Sequence, residues 1–353
     1  MFQKTPPCNN VFTECDLILK ISWPEKSRIA EWEFIARAQV LGRDDPSIKG
    51  HIPEVKYGRD FDEHSTSYIR DFLKLQSGKT SNTRILRLIV MNRLYPLHHL
   101  EAPKLWRALW ECFECAYLCP ASWSLPIRFS GHYRLWLNGI SHGDISPPNL
   151  MCTLSPTGEP VGVLNDYDLA SWREQPTENG DRTGTIPFMA IPLLAALDER
   201  SPQLYGYDAG SFIWSLAYFS IAQRSEDEGD KIKLTRPPCL QPWFERHTQG
   251  HISLKLAFPC QIDGDVQITD SYERYTFAIR YLTKFWTRRY SKMTSSKGAQ
   301  TPESQYGDPC NTLQDLLDYM EKKARKGPND NVFAEVETRL KQAMERPLQL
   351  HNA

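Results

Sequence analysis

An aspartate and an asparagine five positions apart, Asp144 and Asn149, lie in the run His142-Gly143-Asp144-Ile145-Ser146-Pro147-Pro148-Asn149. Another acid, Asp166, follows directly after the apolar stretch Gly162-Val163-Leu164 and Asn165. Oxygen ligands of this kind suit a hard divalent cation, and a carboxylate ahead of them suits the orientation of a hydroxyl nucleophile. Phosphoryl transfer from a nucleotide needs these parts and one more, a cation on the phosphates. Asp144 then orients or accepts the acceptor hydroxyl, while Asn149 and Asp166 hold the metal ion. His142 reads as a brace for the loop rather than a carrier of protons. A polar turn beside an unrelated acidic loop is the bland alternative, but it leaves the coincidence of the whole frame with the apolar residues Ile145 and Leu150 unexplained.

The missing cation is sought among lysines with an unusual setting. Lys20 interrupts the apolar run Leu17-Ile18-Leu19-Lys20-Ile21, where a lysine otherwise lacks a reason to be. An edge-strand lysine reaching back to solvent is the alternative. A phosphate-binding Lys20 needs a carboxylate to position it, and Glu31 and Glu33 are the choices. Glu31 is preferred, because Phe34 and Ile35 follow it at the three and four positions; a solvated helix face is the other reading of either glutamate.

These residues require elements to carry them. Residues 16–23 predict a buried strand ended by Pro24, and residues 27–40 predict a helix with Ser27 as its cap. Residues 51–57 and 84–91 predict two more strands, with a connector over 92–97. Helices are expected over 103–118 and 131–138. The stretch from Asp208 to Ala222 is apolar nearly all round, the mark of a helix in the centre of a structure. Residues 224–231 read as a charged surface loop, and 294–308 as a flexible polar linker before C-terminal helices over 309–353.

With 42 basic and 43 acidic residues among 353, the net charge is −1, so nothing in the balance points to nucleic acid or an anionic membrane. No run approaches the ~20 apolar residues of a membrane span. Nine cysteines form an odd set without an apolar leader before Cys8, which predicts reduced thiols and an intracellular setting, cytoplasmic or nuclear. Cys112, Cys115 and Cys119 share a helical spacing among Trp106, Leu109, Trp110 and Phe113. Packing is therefore the preferred reading over a metal site, since no second cysteine pair or neighbouring His completes four ligands.

Beyond the loop, Arg182-Thr183-Gly184-Thr185-Ile186-Pro187-Phe188-Met189-Ala190 resembles the end of a kinase activation segment. Together with His-x-Asp-Ile-Ser-Pro-x-Asn-Leu, Leu-Asn-Asp-Tyr-Asp-Leu-Ala and Asp-x-x-Ser-Phe-x-x-Ser-Leu, it resembles the fungal-type protein kinase family over about residues 15–290. The resemblance implies an α+β, two-lobed kinase-like fold. Its parts are a small, mostly antiparallel β lobe with one helix over 1–95 and a mainly helical lobe over 96–293. It also implies ATP and Mg2+ as cofactors and a protein substrate phosphorylated on Ser or Thr. Thr185 then contacts Asp144, and Asp208 braces the catalytic loop from below.

The chain departs from the kinase pattern at several points. No glycine precedes Lys20, so a Gly-rich phosphate loop is absent and the sequence is expected to begin inside the small lobe. Gly143 stands for an arginine, Ser146 for a lysine on the transferred phosphate, Asp168 for a glycine, and Ile191-Pro192 for Pro-Glu. Two alternatives stay open at this point. One is a catalytically weak, pseudokinase-type binding or regulatory module. The other is a small-molecule phosphotransferase of the aminoglycoside or choline kinase type, which Gly143 and Asp168 suit but the segment Gly184–Ala190 does not.

Overall fold

The computed structural model describes residues 17–45, 48–74, 83–114, 131–173, 184–195, 203–227, 231–245, 248–262, 264, 266–295, 302 and 306–324, with 334, 336 and 338. It is a mixed α+β structure with small antiparallel sheets. Its first part contains β1 (Leu17–Ser22), α1 (Glu31–Asp44), β2 (Val55–Ser65), α2 (Thr66–Phe72) and β3 (Ile85–Asn92). The sheet order is β1-β3-β2, antiparallel throughout, with Lys20 opposite Ile89. β3 is central and shows strict alternation, with Ile85, Arg87, Ile89 and Met91 buried. Period-two patterning of this kind turns one face of a strand to the interior.

β1 departs from the buried strand expected of its apolar run. Leu17, Leu19 and Ile21 are more than half exposed, while Ile18 and Lys20 face inward. An apolar run cannot say which face is covered, and here the edge position of β1 leaves one face open. The predicted helix also starts later than expected. Ala30 is its N-cap, no side chain caps it, and Ser27 lies before it. Arg87 does the anchoring. Almost fully buried, it pairs with both oxygens of Asp60 at 2.7 and 2.8 Å, reaches the carbonyls of Arg28 and Ile29, and lies 5.1 Å from the Trp32 ring. One β3 side chain thus holds β2 and the start of α1, where Glu31 sits.

The middle of the chain contributes β4 (Tyr95–Pro96), α3 (Ala102–Glu114), α4 (Gly131–Leu137), β5 (Ile140–Ser141), β6 (Leu150–Leu154), β7 (Pro160–Leu164) and β8 (Ser171–Trp172). β6 and β7 form a hairpin, and β5 pairs with β8, so the loop after β5 and the segment after β7 are held side by side. His51 ties this region to the first, since its Nδ1 lies 2.7 Å from the Gly162 carbonyl and its own carbonyl accepts from Leu164.

α5 (Ile191–Ala195), α6 (Tyr205–Ile221), β9 (Gln223–Asp227), β10 (Lys231–Thr235), α7 (Thr248–Gln261), α8 (Thr276–Thr294) and α9 (Pro309–Ala324) follow. Every residue of α6 is buried, as its all-round apolar sequence requires. The expected charged loop over 224–231 is instead largely a β9–β10 hairpin, pairing Lys231 with Asp227 and Lys233 with Ser225. Alternating charges on an exposed ribbon hide the strand signal. Within the expected linker, Tyr306 is buried against Tyr207 and Trp286, with the buried Arg289 guanidinium 5.2 Å from its ring. Arg289 in turn pairs with Asp315 of α9, which seats that helix on α8. Cys115, Cys119, Arg182, Thr183 and most of the C-terminal prediction lie outside the described residues. Among the described residues, no helix is long and apolar enough to cross a membrane.

Candidate active site

Lys20 lies on the inward face of β1, and its ammonium is surrounded by acids. Nζ donates to Glu31 Oε2 at 2.6 Å and Asp166 Oδ1 at 2.7 Å, and lies 2.9 Å from Asp168 Oδ2. The sequence argument chose Glu31 over Glu33, and Glu31 is the fully buried one of the two. Burial alone would lower the Lys20 ammonium, but Glu31, Asp166 and Asp168 together outweigh it and hold it above its ordinary value. Burial pushes the Glu31 carboxyl up to about 7, against the downward pull of Lys20. Its other oxygen accepts from the Tyr167 backbone N–H at 3.0 Å, so Glu31 joins β1 to the segment after β7.

Asp166 has φ +66°, a left-handed backbone for a residue other than glycine. Such a conformation costs roughly 1–2 kcal/mol and persists where surrounding contacts demand it. Here the demand comes from both sides. Tyr167 is fully buried with its ring 4.8 Å from His142, while Asp166 must turn back to Lys20. A backbone hydrogen bond from Asn165 to the Asn149 carbonyl, at 2.9 Å, brings the Asp166 segment alongside the predicted loop.

That loop is organised as its sequence suggests. Asn149 Nδ2 donates to the Asp144 carbonyl at 2.9 Å and to its Oδ2 at 3.1 Å. Thr185 donates to Asp144 Oδ1 through both its backbone N–H, at 2.8 Å, and its hydroxyl, at 2.9 Å. His142 donates from Nε2 to the Asn165 carbonyl and accepts at Nδ1 from the Asp144 N–H. Burial lowers its pKa, with Asp208 and Asp144 opposing, and its two ring contacts tie the Asp144 loop to Asn165. Ser146 is buried, with its carbonyl closing the turn by accepting from Asn149 at 2.9 Å. Its hydroxyl therefore does not present itself at the open face of the site.

Beneath the loop, Asp208 sits one turn inside α6 rather than at its cap. It accepts from the backbone N–H of His142 at 3.1 Å and of Gly143 at 3.2 Å, from His132 Nε2 at 3.1 Å and from Gln203 Nε2 at 3.0 Å. Burial would raise its pKa, but His132, His142 and the Gly143 N–H hold it below the ordinary value. Gly143 explains its own identity. At φ +76°, a Cβ there would stand 2.8 Å from the Leu169 carbonyl oxygen, so a longer side chain could not replace it without rearrangement.

Sequence reasoning passed over three contributors. His132 and Gln203 support Asp208, and neither belongs to a recognisable spacing. Lys255 of α7 is buried, donates to the Met189 carbonyl and lies 5.0 Å from the Trp214 ring centre. Burial lowers its pKa well below the ordinary value. It anchors the Met189 carbonyl next to Ile191-Pro192, the pair that stands for Pro-Glu of the kinase pattern. A lysine in a weakly patterned helix gives no signal of this.

Asn149 Oδ1 and Asp166 Oδ2 have no hydrogen-bond partner among the described residues, while their sister atoms are engaged. Two open hard-oxygen donors on adjoining segments are of the kind that suits a hard divalent cation.

Residues 128–220 match the family model for fungal protein kinase. The match supports the family recognised from the sequence, and it points to a kinase-type function for the segment that carries Asp144, Asn149, Asp166, Thr185 and Asp208. Lys20 and Glu31 lie outside the matched fungal protein kinase span. A search of curated proteins finds no match.

Proposed function

We propose that this chain is a two-lobed, protein kinase-like phosphotransferase that uses ATP and Mg2+ and phosphorylates Ser or Thr hydroxyls of a protein substrate. The observation that carries the proposal is the meeting of Lys20 and Glu31 with Asp166, across more than 130 residues of sequence, beside a loop in which Thr185 and Asn149 aim Asp144. A polar turn beside an unrelated acid has no reason to gather these groups. Bound ATP with Mg2+ would supply the phosphoryl group and the divalent charge on its phosphates. Asn149 and Asp166 offer the oxygen donors for the metal, and Lys20 offers the cation for the phosphates. Asp144, with one oxygen fixed by Thr185 and the other by Asn149, orients the acceptor hydroxyl. His142 keeps the loop and the Asp166 segment in register.

The Thr185 contact also favours a protein acceptor over a small molecule, because the segment running from Gly184 to Ala190 starts against the Asp144 carboxylate. A second reading, a weakly catalytic binding module, is favoured by the enclosure of Lys20 among three carboxylates and by the burial of Ser146. The test is ATP binding and autophosphorylation with Mg2+, measured beside Asp166→Ala and Lys20→Ala. Binding and label transfer by the parent, lost in both variants, is the expected result. Binding without transfer supports the binding module, and a parent that does neither removes the enzyme reading.

A further inference from the structure

Lys20 must serve the nucleotide, yet its ammonium already faces three carboxylates. An ammonium has three donors and no acceptor, so a phosphate oxygen can be met only if one carboxylate gives way. The three differ in how firmly they are held. Glu31 is fully buried and anchored at both ends, by Lys20 and by the Tyr167 N–H. Asp166 is set by a left-handed backbone and also accepts from the Asp168 N–H at 3.4 Å. Asp168 is different. Its Oδ2 faces Lys20, and its Oδ1 is buried with no hydrogen-bond partner among the described residues. It can therefore leave the lysine without breaking any other side-chain hydrogen bond.

On the phosphotransferase reading, we propose that Asp168 competes with nucleotide phosphate for the Lys20 ammonium and so makes nucleotide affinity depend on a divalent cation. Ligand atoms of Glu31, Asp166 and Asp168 lie within 4.8 Å of one another. With three acids against one ammonium, the site repels a bare polyphosphate. When a divalent ion accompanies the nucleotide, Asp166 and Asp168 gain a counter-charge of their own and Lys20 is released to the phosphates. Asp168 is thus a positioning residue acting through Lys20. A merely structural Asp168 would affect folding stability without changing how nucleotide binding responds to metal.

The experiment is calorimetric titration of ATP into the parent, Asp168→Asn and Asp168→Glu, each with excess Mg2+ and with chelator. Asp168→Asn is expected to bind metal-free ATP more tightly, by about five-fold for the loss of one partly exposed opposing charge, and to gain correspondingly less from Mg2+. Asp168→Glu, which keeps the charge, should retain the parent's ratio of the two affinities. If Asp168→Asn does not fold, Asp168→Gly also removes the carboxylate and is read in the same way. An unchanged ratio in the charge-removing variant, with a parent that binds, overturns this proposal alone. A parent that binds no nucleotide under either condition overturns it together with the proposed function.

Discussion

Replacing Asp208 tests whether the loop that carries Asp144 is held from below. Its two oxygens accept from four donors: two backbone N–H groups of the loop, His132 and Gln203. Asp208→Ala removes all four acceptor contacts and leaves the buried His142 and Gly143 N–H groups unpaired. Hydrogen bonds to a charged group contribute about 1.5–3 kcal/mol each, but members of one network do not add, so a loss of about 3–5 kcal/mol is expected. Asp208→Asn keeps one acceptor oxygen while turning an NH2 toward other donors, and should cost roughly half as much. Guanidinium denaturation at pH 7 gives both values.

The pH dependence follows from the direction of the Asp208 shift. Its folded-state pKa lies below the ordinary value, so the carboxylate's contribution is complete above the unfolded pKa of about 3.9 and is lost as pH falls through the folded value. The gap between parent and Asp208→Ala should therefore be widest near neutrality and narrow below about pH 4. If Asp208→Ala lies within about 1 kcal/mol of the parent at pH 7, below the cost expected for broken buried pairs, the bracing argument is wrong.

Two further outcomes are expected. Gly143→Ala should destabilise by about 1–3 kcal/mol and reduce nucleotide-dependent activity, since its Cβ would meet the Leu169 carbonyl at a left-handed φ; a neutral effect on the denaturation midpoint would contradict this. Lys255→Met should be neutral or stabilising at pH 7, because the burial cost of an ammonium that has no carboxylate partner among the described residues offsets the lost hydrogen bond to the Met189 carbonyl. As the folded-state pKa of Lys255 is lowered, the parent regains ground as pH rises toward about 10, and denaturation at pH 7 and 9.5 should show the difference shrinking.

Much of the candidate site was legible because its chemistry is local. The spacing of Asp144 and Asn149 and the acid after an apolar strand can be read along the chain, and Thr185 and Asp208 could be placed through the resemblance. Lys20 was found by its oddity within an apolar run, and Glu31 by the helical spacing of Phe34 and Ile35. What escaped was set by distant packing. The exposure of Leu17, Leu19 and Ile21 depends on β1 being an edge strand, which β1 alone does not announce. The sequence predicts a strand over 51–57, whereas β2 runs from Val55 to Ser65, because Lys56, Arg59, Asp60, Asp62 and Glu63 mask its alternation. Its place comes from pairing with β3 and from the Arg87–Asp60 bridge. Asp168 was noticed as a missing glycine rather than as a partner of Lys20, since nothing in the sequence places β1 beside it.

The site joins two separately supported parts. The brace under the loop, made by His132, Gln203 and Asp208, and the candidate site residues Asp144, Asn149 and Asp166 all lie within the matched residues 128–220. The clamp, Lys20 and Glu31, comes from β1 and α1, which have their own anchor in Arg87. The two parts meet where Lys20 and Glu31 contact the segment from Asp166 to Asp168. Among sequences that share this matched span, loss of the lysine should leave the Asp208-braced loop behind, so the proposed phosphotransfer is better judged in a relative from its β1 than from its strongest region of likeness.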